Sequence, residues 1–241
     1  MTTIWALADL HLPGEDNKPM DIFGPEWEDH PDRIMQGWQS NIKDHDLVII
    51  PGDISWAMHL EGARGDLNWI AALPGQKILV RGNHDYWWKS ISRVRAALPS
   101  GMWAIQNDHY YFQGWAICGT RGWICPGDSR FDPEEDQKIY LRETQRLELS
   151  LKSAHDRGYR QIIASLHFPP FNVKREPSGF TELLDAYGVK ICIYGHLHAE
   201  ARKLAFEGKL GGTRYIFVAA DHLGFVPTPI VTGIGDRAGQ E

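Results

Sequence analysis

The chain has 241 residues, 43% hydrophobic and 23% charged, which are values of a folded globular protein and exclude disordered, collagen-like and coiled-coil classes. The 25 Lys and Arg residues against 31 Asp and Glu give a formal net charge of −6, which argues against a broad nucleic-acid or membrane-surface footprint. No apolar run reaches the ~18 residues of a membrane span, and the N-terminus lacks the features of a secretory signal.

Strand-like runs of β-branched and aromatic residues alternate with helical patterns along the chain. The predicted strands are residues 4–8, 47–50, 77–80, 110–113, 115–118, 161–166, 190–194, 215–219 and 229–232. A helix is predicted over 60–70, ended by Pro74-Gly75, and a shorter one over 180–187, ended by Gly188. The two strands at 110–118 are consecutive and predict an antiparallel hairpin. Strands separated by helices predict a layered α/β fold with mixed sheets.

The longest predicted helix lies between residues 132 and 158. Asp132 is its candidate N-cap, Pro133 occupies the first helical position, and Glu134 and Glu135 complement the helix dipole. Gly158 is the expected end of the helix.

The chain shows no linker-like change of composition before a Gly-rich tail at 233–241, so we expect a single domain over residues 1–241. Three cysteines, Cys118, Cys125 and Cys192, form no CxxC pair and suit a reducing compartment better than a disulfide framework. The expected location is therefore cytoplasmic.

Ligand-type side chains follow five of the predicted strands, close behind the last apolar residue of each. They are Asp9, His11, Asp53, Asn83, His167, His196 and His198. Loops at the carboxyl ends of strands in open α/β sheets converge on one crevice, so we expect these seven side chains to share one space.

Seven nitrogen and oxygen ligands exceed the four that a tetrahedral zinc ion takes. They suit two divalent ions that share a carboxylate at the ~3.5–4 Å separation of two-metal hydrolases. A mixed set of imidazoles and carboxylates favours Mn, with Fe, Zn, Ni or Co as alternatives, over Mg or Ca. Two such ions would leave the site positive and attract a phosphate.

The order of these motifs closely resembles that of the calcineurin-like metallophosphoesterases. The matching motifs are Asp9-x-His11, Gly52-Asp53, Gly82-Asn83-His84-Asp85, His167 and Gly195-His196-x-His198. The resemblance implies two mixed β-sheets packed face to face and flanked by helices, with a binuclear metal centre at the C-terminal ends of the strands. It implies that one metal is held by Asp9, His11 and His198 and the other by Asn83, His167 and His196, with Asp53 as the bridge.

The resemblance also implies the reaction. A metal-bridged hydroxide attacks phosphorus in line, and His84, outside the metal ligands, contacts the phosphate and protonates the leaving group. The expected activity is that of a metal-dependent phosphoesterase, and we favour a phosphodiester substrate.

Two departures from related families narrow the expected substrate. Trp56 stands where protein phosphatases carry an Asp that orients the catalytic His, and their Arg-bearing continuation is missing, which argues against protein phosphatase specificity. Asp66 or Asp85 is a candidate to orient His84 instead, or His84 acts with less support. The pyrophosphatases of the lipid A pathway resemble Gly-Asn-Arg-Asp at the third motif, so His84 argues against that substrate too.

Loops 12–31 and 168–179 follow metal ligands in the chain and should border the pocket. The candidates to bind a second phosphate or a nucleotide tail are Arg121, Lys174 and Arg175. The candidates to stack on a base or cover an apolar leaving group are Trp56, Trp87, Trp88 and Trp123. Alternatively, the three cations are solvated residues of surface loops, and the four tryptophans pack in the core.

Two other functions are compatible with the motifs. A nuclease acting on single-stranded nucleic acid would need a basic groove and would show a steep salt dependence. A non-catalytic binding scaffold of the same fold would be expected to have lost metal ligands, whereas all seven are present here. The expected partner is therefore a phosphate ester, with a nucleotide or single-stranded nucleic acid among the candidates, and no membrane insertion is expected.

Overall fold

The computed structural model describes residues 1–15 and 18–235, and within them the chain forms two β-sheets and five α-helices. The strands are β1 Thr2–Ala6, β2 Leu47–Pro51, β3 Gln76–Val80, β4 Met102–Ala104, β5 His109–Phe112, β6 Trp115–Thr120, β7 Ile162–Leu166, β8 Ile191–Tyr194, β9 Gly208–Leu210, β10 Thr213–Phe217 and β11 Thr228–Ile234. The helices are α1 His30–Asn41, α2 Arg64–Ala72, α3 Ile91–Ala97, α4 Asp136–His155 and α5 Gly179–Ala186.

Each sheet mixes parallel and antiparallel neighbours. The first has the order β11-β1-β2-β3-β4 and the second β5-β6-β7-β8-β10-β9. Strands β1, β2, β3 and β4 run parallel, as do β6, β7, β8 and β10. Antiparallel partners lie at the edges, where β11 pairs with β1, β5 with β6 and β9 with β10.

Alternating side chains in the central strands divide the interior into three apolar layers. In β2, Leu47 and Ile49 pack between the two sheets, while Val48 and Ile50 pack against helices on the outer face. The outer face of the first sheet is covered by α1, α2 and α3, and that of the second by α4 and α5. The predicted sandwich of two mixed sheets flanked by helices is confirmed.

The topology brings the ends of five strands to one edge of the sandwich. Strands β1, β2 and β3 are parallel neighbours in the first sheet, and β7 and β8 are parallel neighbours in the second. Their carboxyl ends lead directly into the loops that carry the seven ligand-type side chains. The sheets thus act as a rigid support for one cluster of loops.

The long helix begins later than the capping pattern predicts. It starts at Asp136 rather than after Asp132, because residues 133–135 form a turn closed by a 2.7 Å hydrogen bond from the Asp136 N–H to the Asp132 carbonyl. The Asp132 carboxylate accepts a hydrogen bond from the Glu134 N–H at 2.9 Å, so it caps this turn and not the helix. The helix ends before Gly158, as predicted.

The other predicted elements agree with the structure to within a few residues, but several short elements were not predicted. The sequence patterns do not predict helices α1 and α3 or strands β4 and β9. Residues 233 and 234, expected in the Gly-rich tail, belong instead to β11; the rest of that expected tail, residues 236–241, lies outside the described part of the chain. The hairpin β5–β6 is confirmed, with Gln113 and Gly114 both at positive φ, as a two-residue hairpin turn requires.

None of the helices in the described ranges is both long enough and apolar enough to cross a membrane. Cys118, Cys125 and Cys192 are buried free thiols.

Asp46 anchors the start of the first sheet, and its loss should destabilise the fold. Its carboxylate is 3% exposed and accepts hydrogen bonds from the Thr3 N–H at 2.8 Å, the Trp5 indole at 3.2 Å and the Lys43 N–H at 3.0 Å. Asp46→Ala should lower the free energy of unfolding by about 1–3 kcal/mol, because buried donors lose their acceptor. Urea unfolding measures this, with exposed Asp44→Ala as the control. Equal effects of the two substitutions would contradict the assignment.

Candidate metal centre

The backbone at the strand ends adopts conformations that most residues avoid. Asp9, His11, Asp53 and His196 have φ values of 60°, 43°, 51° and 76°, in the left-handed region. Hydrogen bonds between neighbouring loops hold two of these turns, from the Asp9 N–H to the Gly52 carbonyl at 3.0 Å and from the His11 N–H to the Asp53 carbonyl at 2.9 Å. Strain of this kind persists only where the surrounding structure imposes it, and it is common at functional sites.

Asp53 lies at the centre of the cluster and contacts residues from both sheets. It is 1% exposed, and its Oδ1 accepts a hydrogen bond from the His84 N–H at 2.8 Å. Its Oδ2 lies 3.7 Å from His11 Nε2 and 3.4 Å from His167 Nε2. One carboxylate oxygen therefore faces an imidazole from each sheet.

A first group of donors surrounds one side of Asp53. His198 Nε2 lies 3.5 Å from Asp9 Oδ1 and 3.4 Å from His11 Nε2, and the candidate ligand atoms of these three residues all lie within 4.8 Å of one another. The His198 Nδ1 lies 3.1 Å from Asp221 Oδ1. When the His198 Nδ1 carries a proton and donates it to Asp221, the Nε2 lone pair is directed toward Asp9 and His11, as in other metal-binding histidines.

A second group lies on the other side of Asp53. His167 Nε2 is 2.7 Å from Asn83 Oδ1 and 3.2 Å from His196 Nδ1. The opposite nitrogen of His167, Nδ1, lies 3.0 Å from the Pro51 carbonyl oxygen, to which it can donate. That hydrogen bond again leaves Nε2 facing the other ligand-type atoms.

Burial and neighbouring charge determine the protonation of the cluster. Burial holds the pKa of His11 and of His196 well below the ordinary value, so both imidazoles are neutral. Burial alone would also lower the pKa of His198, but the Asp9 and Asp221 carboxylates raise it to about 10. Burial would raise the pKa of Asp53, yet the charge on His167 and its hydrogen bond to Asp53 outweigh burial and lower that pKa.

These donors fit a pair of divalent cations. Neutral imidazoles offer lone pairs, and two buried carboxylates supply negative charge that needs a positive partner. Without a cation, protons on His167 and His198 provide that balance, since carboxylates raise the pKa of both. Divalent ions would replace those protons, which is the usual coupling of metal binding to proton release.

His84 lies beside this cluster and is supported by a tyrosine. Its Nδ1 lies 3.2 Å from the Tyr86 hydroxyl, and its ring centre lies 5.8 Å from that of His11. Burial lowers the pKa of His84, with Asp53 opposing the shift and the His167 and Lys18 charges adding to it. The protonated imidazole is thereby a stronger acid, while a smaller fraction carries the proton at neutral pH.

Neither carboxylate considered for orienting His84 takes that role. Asp85 accepts hydrogen bonds from the Gly82 N–H at 2.7 Å and the Ile54 N–H at 2.9 Å, and so it ties two ligand loops together. Asp66 accepts hydrogen bonds from the Ser55 hydroxyl and from a loop amide. The suggestion that Asp66 or Asp85 orients His84 is therefore wrong, and Tyr86 was not recognised in the sequence.

Only one of the four candidate tryptophans contacts the cluster. Trp56 stacks on His11, with ring centres 5.0 Å apart and planes 23° apart. Trp87 is 2% exposed and packs on Trp88 in the core, so burial removes both indoles from contact with a substrate, which corrects that expectation. Trp123 donates a hydrogen bond to Asp136 at 2.8 Å and packs on Phe168.

The candidate cations differ in their surroundings. Arg121 is directed toward Glu143, with Nη2 3.4 Å from the carboxylate, and its guanidinium lies over the Trp123 ring. Lys174 and Arg175 are exposed in the loop after β7, where Arg175 packs over Phe206 at 4.7 Å. None of these contacts among the described residues involves a ligand-type side chain of the cluster.

The family model for calcineurin-like phosphoesterases matches residues 2–200, a span that includes every motif of the cluster. The chain belongs to the calcineurin-like phosphoesterase family. The chain is also similar to the Gene 66 proteins of the mycobacteriophages L5 and D29, at 33% identity over 85 residues and 34% over 89. Those matches cover 35% of this chain and 41% of each phage protein.

Among solved structures, the chain resembles Phosphopantetheinyl Hydrolase (PptH) from Mycobacterium tuberculosis. The TM-score is 0.52 at 14% sequence identity, and the match covers 99% of both chains. At this identity the similarity concerns the fold alone.

Gly195 allows a close approach on which the position of Asp9 depends. A Cβ added there would overlap the Asp9 carboxylate and lie 2.6 Å from the Ala8 Cβ, while both Asp9 carboxylate oxygens accept from the His196 N–H. Gly195→Ala should therefore lower metal affinity by roughly 10–100-fold, as is typical when the support of a metal ligand is disturbed. Calorimetric titration with Mn²⁺ measures this. Gly65→Ala is the matched control, because a Cβ at Gly65 meets nothing within 4 Å. Unchanged affinity in Gly195→Ala would contradict the role of Asp9.

Proposed function

We propose that the protein is a phosphodiesterase that works with two divalent ions, Mn in preference to Fe, Zn, Ni or Co, within a single domain. The observation that carries the proposal is the position of Asp53 Oδ2, 3.7 Å from His11 Nε2 and 3.4 Å from His167 Nε2. A carboxylate oxygen between two donor groups suits a bridging ligand. Asp9, His11 and His198 would hold one ion, Asn83, His167 and His196 the other, and Asp53 both.

When bound, two divalent ions supply Lewis acidity toward the phosphoryl oxygens and lower the pKa of a coordinated water. The protein's own side chains determine where the two ions would be held. Asp221 and the Pro51 carbonyl orient His198 and His167, so that both Nε2 atoms face inward. The seven ligand-type side chains then determine where the phosphate is held.

His84 is the proposed proton donor to the leaving oxygen. Its backbone N–H is fixed on Asp53 at 2.8 Å, and its side chain is partly exposed beside the donor groups. With Nδ1 near the Tyr86 hydroxyl, Nε2 is the nitrogen free to deliver a proton. Donation by one positioned acid contributes roughly 10²–10⁴-fold in rate.

The engagement of two candidate phosphate-binding cations elsewhere supports a diester over a monoester. A monoester dianion gains more than a diester monoanion from fixed cations around the phosphate. Arg121 is instead paired with Glu143, and Arg175 lies on an aromatic ring. We also propose that a distal part of the substrate contacts Arg121, Lys174 or Arg175.

The three buried free thiols support a cytoplasmic location for the protein.

Substitution of Asp53 and of His84 should separate metal binding from proton donation. Asp53→Ala should lose bound metal and hydrolysis together, because the shared carboxylate is removed. His84→Ala should keep the metal content of the wild type and lose roughly 10²–10⁴-fold in turnover of an alkyl diester, whose leaving group needs a proton. Metal analysis and steady-state kinetics give both quantities. Full turnover of an alkyl diester by His84→Ala would contradict the proton-donor role.

The substrate class is tested with metal-stripped protein supplied again with Mn, Ni, Co, Zn or Mg. Bis-p-nitrophenyl phosphate should be hydrolysed well above p-nitrophenyl phosphate, with Mn the best metal. A preference for the monoester would overturn the diester assignment. Steeply salt-dependent cleavage of single-stranded DNA would favour the nuclease instead, and no turnover with any metal would favour the scaffold.

A further inference from the structure

A cavity with a basic lining lies between the loops that follow β2 and β3. Its volume is about 230 Å³, and its lining residues are His59, Leu60, Trp87, Lys89, Ser90 and Arg93. Small-molecule sites usually measure ~300–1,000 Å³, whereas one water needs only ~10–15 Å³. The cavity therefore has the size for one charged group and part of what carries it, rather than for a whole substrate.

The positive charge of this lining is not balanced by a carboxylate. Within the described ranges, no Asp or Glu lines the cavity, and neither Lys89 nor Arg93 forms an ion pair. Glu61, two residues from His59, is instead paired with Arg64 at 3.0 Å. A concave surface lined by one sign of charge concentrates the electric field and attracts groups of the opposite sign. The cavity is thus suited to an anion, although the formal net charge of the chain is −6.

The hydrogen-bond donors around the cavity suit a phosphate. Lys89 offers three N–H donors on a compact charge, and the planar Arg93 guanidinium matches the spacing of phosphate oxygens. The Ser90 hydroxyl lies 3.0 Å from the Ser92 hydroxyl, from which it can accept while keeping its own proton for a ligand. The His59 imidazole supplies a further donor. A terminal phosphate has three oxygens to accept these hydrogen bonds, whereas a carboxylate has only two.

The two loops that form the cavity also carry rings at the metal centre. The Trp56 ring centre lies 4.6 Å from that of His84, and Trp56 is three residues before His59 in the chain. His84 is likewise three residues before Trp87. Three residues of chain span at most about 10–11 Å, so a substituent of that length on the leaving group would reach the cavity from the proposed proton donor.

We infer that this cavity binds a terminal phosphate carried by the leaving group, which selects phosphodiesters whose departing alcohol bears a second phosphate. The inference rests on the proposed phosphodiesterase function, because it assigns the scissile phosphorus to the metal centre and the departing oxygen to His84. Trp87 gives the cavity a fixed wall, since it is 2% exposed and its indole donates to the Asp85 carboxylate at 3.0 Å. The exposed Lys89 and Arg93 supply the charge.

Calorimetric titration of the Mn-loaded protein with phosphonates, which cannot be hydrolysed, tests the inference. Octylphosphonate presents one phosphonate to the metal centre, and octylenediphosphonate adds a second at the far end of the same chain. Lys89→Ala combined with Arg93→Ala should weaken octylenediphosphonate binding by about 2–30-fold, because each exposed ion pair contributes about 1.4–5-fold. Octylphosphonate binding should stay unchanged. Lys89→Arg combined with Arg93→Lys, which keeps both charges, should retain most of the wild-type affinity for the diphosphonate.

Lys43→Ala combined with Lys190→Ala is the matched control. It removes two exposed positive charges before β2 and β8, at the edge of the sandwich opposite the metal centre. An equal loss of octylenediphosphonate affinity in this control would assign the effect to net charge and overturn the inference.

The length and the end group of the ligand are varied in two further arms. Propylenediphosphonate is too short to reach the cavity from the metals, so the loss of Lys89 and Arg93 should not change its affinity. A carboxylate in place of the distal phosphonate of octylenediphosphonate should bind more weakly in wild type. Equal binding of the two end groups would overturn the assignment to phosphate.

Equal affinity of wild type and the Lys89 and Arg93 variant for octylenediphosphonate would overturn the inference. Binding of octylphosphonate together with diester hydrolysis would then leave the phosphodiesterase proposal intact. Two octylphosphonate molecules per chain, one of them lost in the variant, would show an anion site separate from the substrate and overturn the leaving-group assignment. If the protein binds no phosphonate and hydrolyses no ester, the proposed function fails and the inference fails with it.

Discussion

The buried Asp53 carboxylate is the constraint on which the rest of the site depends. A carboxylate without water or a partner is very unfavourable in a protein interior, so the chain surrounds it with donors from both sheets. The His84 N–H donates a hydrogen bond to one carboxylate oxygen of Asp53, and imidazoles from the loops after β1 and β7 face the other oxygen. The packing of the two sheets and the chemistry of the site are thereby linked through one side chain.

The strand ends supply the geometry that this arrangement needs. Four of the seven ligand-type residues have left-handed backbones, and hydrogen bonds between neighbouring loops hold Asp9 and His11 in these conformations. Glycines next to the ligands let neighbouring loops approach; a side chain at Gly82 would overlap Asp53, as one at Gly195 would overlap Asp9. Conformational strain at the turns is thus offset by the packed sheets beneath them.

The sequence allowed the layers and the ligand cluster to be predicted because both follow from strand periodicity. Apolar runs define the strands, and parallel neighbours bring their carboxyl ends together whatever the details of the loops. Helix α1 is not predicted because Gly37 interrupts its pattern and the segment before it is rich in Pro, Gly and acidic residues, although His30, Ile34 and Trp38 form a buried stripe at helical spacing. The start of α4 was misplaced because an Asp that caps a turn has the same local pattern as one that caps a helix.

The contacts around the cluster depend on side-chain directions that sequence spacing does not define. Trp56 and Trp87 both lie beside ligand motifs in the chain, yet one stacks on His11 and the other packs in the core. Asp221 supports His198, and its position after an apolar strand was the only available signal. Tyr86 lies two residues from the histidine it contacts, and nothing in the sequence distinguishes that contact from an exposed tyrosine.

The most direct test of the central claim is anomalous diffraction from crystals of the Mn-loaded protein, recorded on both sides of the manganese absorption edge. The account predicts two manganese peaks about 3.5–4 Å apart, with Asp53 between them, since this is the usual spacing of two-metal sites. A single peak that leaves either His196 or His198 without a metal, or two peaks that do not share Asp53, would contradict it.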